Sequence, residues 1–213
     1  MPRQKYLDKL AKEMEKDDFL SDRNKAVDFM GDFIRKSFSD DYYLTWRNEC
    51  YQKLGEIGGE TASEILRDAI YSEPSYNGKF IALRGYVMIN QENSIPLLHE
   101  TITFPDSYVR YETYKFLVQF DDTSAIPLLE RELEEFSEFG NKCPTDILHI
   151  RLRIANALFK LTGEEVYEVI EKEGEEIERQ MREHYAQKDD AECTPYRKFD
   201  VRVKELIRSL AQK

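Results

Sequence analysis

The sequence predicts an all-α protein built from repeated helix pairs, on three observations. Nearly every stretch carries apolar residues at helical spacing, and strict two-residue alternation over a strand length is hard to find. A helix-pair pattern recurs along the middle of the chain at shifts of 31, 32 and 41 residues. Turn formers fall between the periodic segments at that same phasing.

In order along the chain, residues 3–16 place Tyr6, Leu7, Leu10 and Met14 on one stripe, and residues 22–38 do so with Val27, Met30, Phe33, Ile34 and Phe38. Helices follow over 42–57, 60–71 and 78–90. The segment Glu92-Asn93-Ser94-Ile95-Pro96-Leu97-Leu98 matches Thr123-Ser124-Ala125-Ile126-Pro127-Leu128-Leu129 at a shift of 31, which also lays Lys79 on Arg110 and Tyr86 on Leu117. A shift of 32 backwards carries Lys79 to Arg47 and Leu98 to Leu66, and a shift of 41 forwards carries Arg110 to Arg151 and Leu129 to Ile170. Helices are therefore expected over 107–120, 147–161 and 164–178, with a last one near 198–212, about 11 in all. The extra ten residues, 136–145, read as an exposed loop because they hold Gly140, Asn141 and Pro144. Gly58-Gly59, Pro74 to Gly78, and Pro105-Asp106 read as turns. Matched apolar positions nominate Leu54, Ile57, Leu66, Ile70, Ala82, Leu98, Ile102, Leu117, Phe120, Leu129, Leu133, Leu158 and Leu161 as core.

Composition narrows the function classes. With 31 basic and 42 acidic residues the chain carries a net charge of −11, which opposes nucleic acid at long range. Three scattered cysteines imply no disulfide framework, and the polar N-terminal segment has no apolar h-region, so a cytoplasmic location is expected. No apolar run is long enough for a membrane span. Phosphate loops, dinucleotide fingerprints, nucleophile elbows and zinc spacings are all missing, so no catalytic residue, metal site or cofactor is expected. Cys143 reads as an ordinary exposed thiol.

The order Ile95-Pro96-Leu97-Leu98, Asp106, Val109-Arg110, Thr113, Leu117 resembles HEAT repeats, most closely the short HEAT-like type also found in phycobilisome lyases. The resemblance covers about 42–171; Glu64 and Glu168 stand where the family pattern has proline. It implies a single right-handed α-solenoid domain of stacked antiparallel pairs, with capping helices in 1–41, repeats over 42–187 and a C-terminal cap over 198–213. It further implies that the "Ile-Pro-Leu-Leu" helices are convex and the "Val-Arg" helices concave. The column Arg47, Lys79, Arg110 and Arg151 would then hydrogen-bond the turn Asp and the neighbouring unit.

Charge is segregated on that assignment. Helices 78–90 and 147–161 contain bases and no acid, whereas 164–178 holds eight glutamates against Lys172. Such a basic face attracts acidic partners whatever the net charge. Arg84, Lys115, Arg153 and Lys160 lie off the stacking column, so partner binding and a merely solvated face both fit them. Tyr111 and Glu112 would contribute contacts in the same concave groove. The resulting expectation is a non-enzymatic interaction module or scaffold that binds another protein or an acidic peptide. Two alternatives follow from the repeat type: a HEAT-like nucleic-acid binder or DNA glycosylase-type enzyme, with Glu112 beside Tyr111 and Tyr114 as its candidate cluster, and a tetrapyrrole lyase-like protein.

Overall fold

A computed structural model of the chain describes residues 3–14, 19–135, 144–185, 201–206 and 209. The described residues are mostly helical and contain no strand. They form two compact units, Met1–Ser94 and Ile95–Lys213.

The first unit contains α1 (Arg3–Met14), α2 (Arg23–Ser37), α3 (Leu44–Ile57), α4 (Glu60–Ser72) and α5 (Tyr76–Asn90). Here α3 packs on α2, α4 and α5, and α4 also packs on α2 and α5. Close approach of α3 and α5 depends on two glycines: a Cβ on Gly55 would fall 2.8 Å from the Cα of Gly85. The second unit contains α6 (Ile95–Thr101), α7 (Ser107–Gln119), α8 (Ile126–Glu135), α9 (Pro144–Thr162) and α10 (Glu165–Tyr185), with a further helical segment over 201–206. In it α9 packs on α7, α8 and α10, and α6 packs on α7.

Local chemistry sets the boundaries. Asp22 and Asp106 cap α2 and α7: the Asp22 carboxylate accepts from Lys25 N, and that of Asp106 from Tyr108 N and Val109 N. Pro96 and Pro127 each sit in a first helical turn, where a missing N–H breaks no helical bond. A left-handed residue follows each of α3, α5, α7 and α9: Gly58 (φ 76°), Gln91 (φ 49°), Asp121 (φ 50°) and Gly163 (φ 73°). Gly58 (ψ −170°) and Gln91 (ψ −130°) combine this positive φ with an extended ψ, so they turn the chain out of the helix.

The core follows the matched positions. Leu54, Leu66, Ile70, Ala82, Leu98, Leu117, Leu129, Leu133 and Leu158 are fully buried, and Ile102 and Leu161 nearly so. Ile57 and Phe120 are only half-buried, because each stands at its helix's last turn. Three boundaries are corrected: α5 opens at Tyr76, α10 runs on to Tyr185, and α9 starts earlier. Pro144 and Thr145 open α9 instead of closing a loop, since proline is suited to a first helical position. Residues 136–143, Cys143 among them, lie outside the described residues, as does 186–200.

The arginine column is buried, with Arg47 and Arg151 at 0% exposure and Arg110 at 1%; Lys79 is half-buried. For Arg47 and Arg110 the ion-pair partner is a glutamate. Arg47 Nε and Nη2 donate to Glu73 at 2.8 and 3.0 Å, while Nη1 donates to the carbonyls of Ser37 and Asp40. Arg110 pairs with Glu132 on α8 at 3.0 Å. The Asp106 Oδ1 instead caps α7. Gly78, read as a turn former, lies inside α5 and makes room for Glu73: a Cβ there would fall 2.5 Å from the Glu73 Cγ.

The turn before α8 is tied to α6 through Asp122, which accepts from Ser124 Oγ and faces His99 Nε2, both at 2.6 Å. Burial raises the Asp122 carboxyl, but the hydrogen bonds from Ser124 and His99 outweigh it and hold the carboxyl below its ordinary value. A carboxyl depressed on folding stabilises the native state above the unfolded value and loses that contribution as pH falls through the folded one. The stability difference between wild type and Asp122→Asn should therefore shrink as pH is lowered from neutrality through 3.8 and below. Urea titrations at several pH values measure it; a difference that grows on acidification would contradict the assignment.

Candidate partner-binding groove

Helices α7 and α9 pack side by side, and each contributes one stripe to a groove with Tyr114 and Ala157 buried at its base. On α7 the stripe is Tyr111, Tyr114, Lys115, Val118 and Gln119; on α9 it is Arg153, Asn156, Ala157 and Lys160. The spacing is i, i+3, i+4, i+7, so all these positions fall on one helical face. The opposite faces, with Val109, Arg110, Thr113 and Leu117 on α7 and Arg151, Ile154 and Leu158 on α9, are buried. Together the stripes line an open groove of about 380 Å³. A second part of about 560 Å³ shares Tyr111, Tyr114 and Arg153 and adds Ser107, Tyr108, His149 and Ile150.

Tyr111 organises the cations. Arg153 Cζ lies 4.9 Å from its ring centroid and Lys115 Nζ 5.3 Å. The ring's negative face attracts both, by about 0.5–1 kcal/mol each at an exposed site. Lys115 Nζ also donates to Glu112 Oε1 at 3.2 Å. Lys115 is 52% exposed, so solvent screens most of this attraction. Among the described residues Arg153 and Lys160 form no ion pair, which leaves their hydrogen-bonding edges available to a ligand. Two carboxylates approach the lining from α10: Asn156 Nδ2 donates to Glu171 at 2.7 Å, and His149 Nδ1 lies 3.7 Å from Glu178. Beneath the groove, burial pushes the Tyr114 phenol well above its ordinary range; its hydroxyl donates to the Ile102 carbonyl.

Of the six residues expected to contact a partner, Lys115, Arg153, Lys160 and Tyr111 line the first part of the groove together. Glu112 is 5% exposed and lines neither part; its carboxylate is held beside Lys115. Arg84 belongs to the first unit, on α5, with its Cζ 5.1 Å from the Phe80 ring. That contact repeats the Tyr111–Lys115 one: an aromatic residue with a cation four positions on, carried by the 31-residue shift.

Tyr108, His149 and Ile150 did not stand out in the sequence. They belong to the groove because they extend the Tyr111 and Arg153 stripes by one turn, a signal available from helical spacing alone. Compared with known proteins, the chain matches no family model, no curated protein and no solved structure.

Proposed function

We propose that the chain is a non-enzymatic interaction module of HEAT-like repeat type, whose groove between α7 and α9 binds an acidic segment of another protein. The right-handed solenoid implied by the repeat resemblance belongs to this proposal. It is supported by the packing of successive helices within each unit and by the positive-φ residue that follows α3, α5, α7 and α9.

One observation carries the binding reading: Lys115, Arg153 and Lys160 share a groove with Tyr111, and two of the three cations have no carboxylate partner among the described residues. Fixed positive charge in a groove with low-dielectric walls concentrates anionic partners. The enzyme alternative is less well supported, because Glu112 does not face the groove as an acid acting there would have to.

The double variant Lys115→Glu/Arg153→Glu tests the reading. Both side chains are exposed, so folding should change by no more than about 0.5 kcal/mol per site. Binding of a labelled oligoglutamate peptide, followed by fluorescence anisotropy, should weaken about tenfold or more and lose its salt dependence. A variant that folds normally and binds the peptide like wild type would remove the groove from consideration.

A further inference from the structure

The two parts of the groove differ in chemistry, and the difference specifies a partner more closely than charge does. The first part carries Lys115 and Lys160, with Asn156 and the aliphatic Val118 and Ala157 between them. The second carries no lysine; it is walled by Tyr108, Ile150 and His149, with Tyr108 53% exposed. Arg153 and Tyr111 stand where the two parts join.

From Tyr108 to Gln119 the α7 wall advances by 11 residue steps, about 16 Å at a helical rise of ~1.5 Å. An extended chain advances ~3.3 Å per residue, so the groove accommodates about five extended residues. The exposed Tyr108 offers an apolar surface for an aromatic ring, with the buried Ile150 (7% exposed) behind it.

Resting on the groove reading above, we infer that the partner segment is a short extended peptide with acidic residues against Arg153, Lys115 and Lys160 and an aromatic residue at the end that meets Tyr108 and Ile150. Arg153 is the anchor between the two halves, since its guanidinium is held over Tyr111 while its N–H edge remains able to grip a carboxylate. A nucleic-acid strand fits less well, because between Lys115 and Lys160 the lining is Val118 and Ala157, which give a base no ring to stack on.

The test uses four labelled probes on the full chain: a pentaglutamate, the same peptide with tryptophan at either end, and an oligothymidylate of equal charge. One of the two tryptophan peptides should bind about tenfold more tightly than pentaglutamate. Tyr108→Ala should erase that gain while leaving pentaglutamate affinity unchanged, and this unchanged affinity also reports that the variant is folded. Arg153→Glu should weaken all three peptides.

If pentaglutamate binds in an Arg153-dependent way but neither tryptophan position gains, the aromatic subsite is wrong and the groove reading stands. If pentaglutamate does not bind the wild-type chain at all, both fail. Tighter, Tyr108-dependent binding of the oligothymidylate would overturn the peptide in favour of a single strand.

Discussion

Replacing Glu73 with alanine should destabilise the first unit by about 3–5 kcal/mol, the range found when one member of a buried ion pair is removed. Glu73 is fully buried and accepts from Arg47 Nε, Arg47 Nη2, the Tyr51 hydroxyl and Ser75 N. Without it the Arg47 guanidinium keeps two backbone carbonyls but loses its counter-charge inside the core. In the wild-type chain burial first, and the adjacent carboxylate second, push the Tyr51 phenol far above its ordinary range, so it is a donor to Glu73. The double variant Arg47→Met/Glu73→Leu is the informative companion. Well-packed apolar substitutes for a buried ion pair are often neutral or stabilising, so most of the loss should be recovered. Urea denaturation of the single and double variants measures both effects. A single variant within about 1 kcal/mol of wild type would mean that water reaches Arg47 in the folded state.

The helices and most of the core were legible in the sequence because each depends on spacing within one or two turns. The arginine column was legible too, as matched positions in successive pairs, but its acceptors were not. Glu73 lies 26 residues from Arg47, and Glu132 lies 22 from Arg110. In a chain with 42 acidic residues nothing local distinguishes those two carboxylates from solvated ones. Gly78 illustrates the same limit: glycine suggests a turn locally, whereas its task is to leave space for a side chain five residues earlier. In the groove, charge counting found the cations because the stretch 147–161 of α9 holds Arg151, Arg153 and Lys160 and no acid, which leaves a compositional trace. Whether a residue such as Glu112 faces the groove or the interior depends on helix rotation, and its neighbours Tyr111 and Thr113 lie on different faces. Arg84 was grouped with Lys115 by the repeat, and the repeat does preserve its contact with an aromatic residue. What repetition cannot supply is membership of one site, which depends on the helix packed alongside.

Leu117→Ala should destabilise the second unit by about 2–5 kcal/mol and should also disturb the groove without touching it. Leu117 is fully buried, three residues after Tyr114 and one before Val118, both of which line the groove. Removing its branched end leaves a void behind α7, because close-packed neighbours relax only partly into such a space. The wall carrying Tyr111 and Lys115 then loses its backing, so acidic-peptide affinity should fall although no contact residue has changed. Lys115→Ala is the opposite case: its side chain is half exposed, so stability should stay within about 0.5 kcal/mol while affinity falls. Denaturation and peptide titration of both variants therefore separate the two roles on one helix. A Leu117→Ala protein that unfolds at the wild-type urea concentration would mean that the inner face of α7 is not the one that carries Val109, Thr113 and Leu117, and the groove stripe of Tyr111, Lys115 and Val118 would have to be reassigned with it.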